Sequence, residues 1–119
     1  MKIELKEISI NLKVEETIIT KEELLKNTRI LKIATPGCYI FYGKNNVVLY
    51  VGHAIDVRSR VIQHLTDNGG GIYLNINKAH QKNPELIEKI GIIYNYKLEH
   101  LLIYYLNPQY NQGYVSATQ

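Results

Sequence analysis

The stretch "PGCYIFYGKNNVVLYVGHA", Pro36 to Ala54, decides the fold. Two apolar runs, "CYIFY" and "VVLYVG", flank the turn "GKNN". A four-residue turn of Gly and Asn between tyrosine-rich runs is a strong hairpin signal. Pro36-Gly37 punctuates the chain just before it. Each run sets a small residue beside a tyrosine: Gly37 and Cys38 lead into Tyr39, and Gly52 follows Tyr50 by two. A histidine, His53, closes the second run.

Downstream, Asp56 is a helix cap for "VRSRVIQHLT", predicting a helix over 56–66. Val57, Val61 and Leu65 recur every fourth residue and face the core. Arg60 and His64 share a stripe beside that apolar face. They read either as a solvated basic edge or as a cationic clamp for a phosphate. Arg is suited to the clamp because its planar fork keeps its charge. The triple glycine Gly69–Gly71 lacks the Gly-Lys-Ser/Thr ending of a phosphate loop and reads as a connector. The stretch 72–89 is less clear, and "YLNINKAHQK" reads as helix or irregular. "PELIEKI" predicts a short helix with Pro84 at its first position. "IGIIYNY" predicts a third strand over 90–96. "KLEHLLIYYL" predicts a helix over 97–106, apolar around nearly its whole circumference and so buried on most sides, stopped at Asn107-Pro108.

Upstream, "IELKEISINLKV" alternates as one strand bent near Glu7. Thr20 and Glu23 form a capping box that starts a helix ending near Asn27. Its charges, Lys21, Glu22, Glu23 and Lys26, predict a solvated face. Residues 1–35 therefore read as a strand–helix extension of a single compact domain, and 36–119 as its body.

Composition narrows the function. The 119 residues carry ten Tyr against one Phe and no Trp, with a net charge of +3. Tyrosine offers an apolar body and a hydroxyl, and a mild positive charge suits a phosphate-rich partner. One cysteine, Cys38, precludes an internal disulfide and points to a reducing cytoplasm. No apolar run approaches the ~20 residues of a membrane span. "MKIELKEISIN" alternates rather than forming a leader. No nucleophile elbow surrounds a serine, and no Cys/His cluster suggests structural zinc. His80 and His100 lack partners at metal-ligand spacing and read as surface or packing residues. Glu99 stands out as a carboxylate on an apolar helix. It reads either as a first-turn dipole partner or as a cation ligand.

These residues, taken in order, resemble the GIY-YIG nuclease family, as in excision-repair and homing-type endonucleases. Gly37-Cys38-Tyr39 stands at the first motif and Tyr50-Val51-Gly52 at the second. Arg60 matches the family arginine, and His64 a position held by Tyr or His. Glu99, within "LEHLLIYYLNPQYN", matches the metal-binding glutamate, and Asn111 the closing asparagine. The resemblance covers about residues 36–112. At His53 the chain departs from excision-repair members, which carry lysine there.

The resemblance implies an α+β fold: a small three-stranded antiparallel sheet flanked by helices. It also implies an endonuclease using Mg²⁺ or Mn²⁺, with Glu99 as metal ligand, acting on nucleic acid, DNA before RNA. Tyr39 or Tyr50 would be the general base, and the residues leave open which. A phenol with pKa about 10 needs nearby positive charge to act so, from metal, Arg60 or protonated His53. Arg60 would hold the scissile phosphate and His64 lie near the leaving group or water. Asn111 would orient Glu99 or the phosphate. The glycines would leave room for substrate between the strands. The alternative is a binding module on the same fold with weak or no turnover. Residues 1–35 are a candidate surface for a homodimer or protein partner, and otherwise extend the sheet.

Overall fold

A computed structural model describes residues 2–7, 10–66 and 86–111. Strands β1 (Lys2–Glu7) and β2 (Ile10–Glu15) come first, then β3 (Thr17–Thr20) and helix α1 (Lys21–Lys26). The central pair β4 (Gly37–Tyr42) and β5 (Val48–Ala54) leads into α2 (Val57–Thr66). Strand β6 (Lys89–Ile93) and α3 (Glu99–Leu106) complete the described elements. The main sheet runs β3-β6-β4-β5, antiparallel throughout. The expected three strands are β6-β4-β5, and the N-terminal extension adds β3 at the far edge.

The hairpin forms where its turn chemistry placed it. Asn45 and Asn46 take left-handed backbone, φ 59° and 61°, which asparagine tolerates better than most residues. A register shift between Phe41 and Tyr42 pairs Phe41 with Tyr50 but Tyr42 with Val48. Leu49 is thus the extra residue of a bulge, and it packs in the same core as Tyr50.

Strand alternation divides the core between two faces of the sheet. Tyr39, Phe41, Ile90 and Ile92 pack with Val57, Val61 and Leu65 of α2. Leu24 of α1 and Leu31 fill the same cluster, so part of the N-terminal extension belongs to this core. Cys38, Ile40, Val51 and Ile93 pack on the other face with Leu102 and Ile103 of α3.

The extension is also anchored on that second face. Glu16, buried, lies over Gly91, where a β-carbon would meet its Oε2 at 1.8 Å. Tyr42 O–H donates to the same oxygen at 2.6 Å, so Tyr42 is a structural residue. Burial raises the Glu16 carboxyl above its ordinary value.

Three expectations are corrected. The N-terminal alternating segment is a hairpin rather than one bent strand, because Lys2–Glu7 pairs residue for residue with Ile10–Glu15. Lys89, assigned to a helix, opens β6, where pairing with β4 overrides the local pattern. The third strand ends at Ile93, and Tyr96–Leu98 form a 3₁₀ turn that leads into α3. As its apolar circumference predicts, helix α3 buries Glu99, Leu102 and Ile103 and half-buries Leu101, Tyr105 and Leu106, leaving one exposed stripe through His100 and Tyr104. The glycine connector and the unclear stretch as far as residue 85, with His80 and Pro84, lie outside the described residues.

Candidate active site

Strand β5 organises the site. Its residues alternate between faces, so Tyr50 and Gly52 look toward α2 while Val51 and His53 look toward α3. Sequence therefore splits the candidate residues into two groups on one strand.

On the α2 face stands an aromatic cluster. The Tyr39 hydroxyl and His64 Nε2 share a hydrogen bond at 3.1 Å. Ring centroids lie 6.2 Å apart for Tyr39 and Tyr50, and 6.2 Å for Tyr50 and His64. Phe41 closes the cluster, 5.1 Å from Tyr39. Gly52 makes this possible: a β-carbon there would lie 2.4 Å from the Tyr39 ring. The space beside the second motif is thus filled by Tyr39 itself, which corrects the expectation of a substrate slot between the strands. Gly37 has a different task. A β-carbon there would meet the Ile93 carbonyl at 2.9 Å, so glycine lets β4 start close against the end of β6.

The two tyrosines are not equivalent. Tyr39 is buried, and Tyr50 is half-buried. Burial, then the neighbouring Tyr50, hold the Tyr39 phenol well above its ordinary pKa, while Arg60 pulls weakly the other way.

Helix α2 supplies the charges. Asp56 accepts from Ser59 N at 3.2 Å and from Ser59 Oγ at 3.0 Å, which sets the helix start. Of the two arginines in "VRSR", Arg58 donates to Thr28 Oγ1 at 3.1 Å and ties down the extension. Arg60 is exposed and lines a cleft of about 420 Å³ with His53, Ile55, Asp56, Ser59 and Gln63.

On the α3 face, His53 Nδ1 lies 2.7 Å from Glu99 Oε1. Glu99 opens α3 and is 8% exposed, whereas His53 is exposed on the cleft wall. The imidazole thus provides the compensating partner that a nearly buried carboxylate requires. His53 thus bonds Glu99, a partner that the sequence did not assign to it. Tyr96 stacks on the outer side of His53, centroids 6.3 Å apart and planes 28° apart. Sequence reading missed Tyr96 by assigning it to a strand.

Asn111 sits elsewhere. Its Oδ1 accepts from Val51 N–H at 2.9 Å and its Nδ2 donates to Val51 C=O at 2.9 Å. Gln109 N–H and Tyr110 N–H donate to Val48 and Leu49 carbonyls just before it, at 3.0 and 2.8 Å. The segment after α3 therefore covers the open edge of β5. Asn111 holds the residue between Tyr50 and Gly52 rather than Glu99.

Cys38 is no nucleophile. Its Sγ–H donates to the Asn95 carbonyl at 3.2 Å, and burial pushes the thiol up to about 12.

Among the described residues, no group of three or more His, Cys, Asp or Glu could hold a metal ion. The donor set that does exist is the Glu99 carboxylate, hard oxygen at the edge of the core. That fits a cation such as Mg²⁺, which keeps several waters and takes one or two carboxylates plus substrate phosphate. Among the described residues, no helix is long and apolar enough to cross a membrane.

A hairpin bearing two tyrosine motifs, with an arginine helix on one face and a glutamate helix on the other, is the architecture of a GIY-YIG nuclease domain. The chain belongs to the UvrC-like GIY-YIG domain family, whose model matches residues 35–112. It is similar to the UvrABC system protein C of Pseudothermotoga lettingae, 35% identical over 82 residues. That match covers 64% of this chain and 14% of the relative's length.

Proposed function

We propose that this chain is a metal-dependent endonuclease that hydrolyses phosphodiester bonds in nucleic acid, DNA before RNA. The observation that carries the reading is the end of β5. There His53 both bonds Glu99 and shares a cleft wall with Arg60. His53 so links the Glu99 carboxylate to the cleft that Arg60 lines, with Tyr50 three residues back on the same strand.

Each side chain has a part in that reading. Arg60 binds the scissile phosphate and neutralises its developing charge. Tyr50 is the general base rather than Tyr39, whose buried hydroxyl keeps its proton. Tyr39 and His64 brace Tyr50 from behind. Glu99 would hold the divalent metal, and His53 orients that carboxylate. The metal, when bound, would supply Lewis-acid stabilisation of the phosphoryl oxygens. Asn111 acts through Val51 as a positioning residue.

The test is cleavage of plasmid and oligonucleotide substrates with Mg²⁺ or Mn²⁺, comparing wild type with Glu99→Ala and Arg60→Ala. Each change is expected to lower the rate by about 10²-fold or more. Cleavage surviving both would sink the site. The second reading, a binding module without turnover, is favoured by His53 standing where excision-repair members carry lysine. Metal-dependent binding with no cleavage in any of the four pairings would establish it instead.

A further inference from the structure

One exposed face lies outside the proposed chemistry. The 3₁₀ turn Tyr96–Leu98 runs directly into α3, and its solvent side carries Tyr96, Lys97, His100 and Tyr104. Tyr96 is 44% exposed and Tyr104 74% exposed. Tyr105 meets Tyr104 edge-on at 5.0 Å and 88°, so the outer ring is braced by a neighbour seated on the core. At the other end Tyr96 stacks on His53.

We infer that this face is a stacking track for a single-stranded segment of nucleic acid leading away from Glu99. Two observations select that occupant. The row is continuous with the site, through Tyr96 on His53 and His53 on Glu99. It pairs aromatic rings with a cation, Lys97, as single-strand platforms do, where bases stack without regard to sequence. The inference rests on the nuclease reading in one respect, that the ligand is nucleic acid.

The test is binding, measured without metal so that turnover plays no part. The probes are fluorescein-labelled oligo-dT and oligo-U of about 12 nucleotides, within the reach of one small domain. A duplex of equal length is the control. Tyr104→Ala and Tyr96→Ala are each expected to weaken single-strand binding roughly tenfold and duplex binding less than twofold. Tyr104→Phe is expected to bind like wild type, since the ring remains. Circular dichroism checks that the variants fold. The dT and U arms distinguish DNA from RNA. Unchanged single-strand affinity in both alanine variants overturns the track, as does an equal loss for strand and duplex. If the track behaves as expected while Glu99→Ala leaves cleavage intact, the track stands and the catalytic assignment falls.

Discussion

Tyr39 lies across Gly52: the ring of the first motif occupies the place where a side chain of the second would begin. A β-carbon at Gly52 would lie 2.4 Å from both Cζ and Oη of Tyr39. The two motifs are therefore one packing unit. Glycine at 52 is what allows a buried tyrosine at 39, and that tyrosine in turn backs Tyr50 and His64.

Gly52→Ala should destabilise the fold by about 1–3 kcal/mol, the usual cost of overpacking a core. Denaturant unfolding measures it. Tyr39→Ala leaves a cavity of its own, but adding Gly52→Ala to it should cost little more. A double-mutant cycle showing no coupling between the two positions would contradict the contact.

Tyr50→Phe should lower cleavage by about 10²-fold or more, the scale of a lost general base. Tyr39→Phe should cost far less, because its hydroxyl is a buried hydrogen-bond partner of His64. If the Tyr39 variant proves the more damaged, the roles are reversed.

Asn111→Ala leaves the Val51 N–H and C=O without their side-chain partners on the β5 edge. A loss of about 1–3 kcal/mol is expected for such groups. Amide hydrogen exchange at Val51 should accelerate with it. Asn111→Asp keeps the acceptor but sets a carboxylate oxygen against the Val51 carbonyl, and should be no better than alanine. Wild-type exchange at Val51 in the alanine variant would refute the clamp.

Stability should fall in alkali. Burial raises Cys38 from its ordinary 9.0 to about 12. It also raises the Tyr39 and Tyr42 phenols. The unfolded chain releases these protons first, so the contribution is complete below pH 9.0 and is lost as pH rises toward about 12. Each group adds a slope of up to about 1.4 kcal/mol per pH unit within its window. Unfolding midpoints measured across that range should decline, and Cys38→Ala should flatten the early part. The same burial predicts that Cys38 resists alkylation until the protein unfolds.

How much was legible depended on the range of the interaction. The capping box at Thr20 was readable because both partners lie within one turn: Thr20 Oγ1 accepts from Glu23 N, and Glu23 Oε1 from Thr20 N. The "GKNN" hairpin and the apolar stripe of Val57, Val61 and Leu65 were readable for the same reason. The bulge at Leu49 was not, because a strand's pattern does not state its register. Nor was the pairing of Lys2–Glu7 with Ile10–Glu15, since a bent strand and a tight hairpin share one alternation.

The candidate site divides along the same line. Sequence alone determined which residue types were present and in what order, and therefore the family: two tyrosine motifs, Arg60, His64 and Glu99. It also determined that Asp56 starts the arginine helix and that Arg60 and His64 share its flank. Only the tertiary structure decided what each side chain meets. It set His53 on Glu99, Asn111 on Val51, Tyr39 over Gly52 and Tyr96 on His53. The reason is physical: each of these contacts joins segments distant in the chain. The pleat of β5 decides which face each residue takes, and burial on that face decides which proton is held.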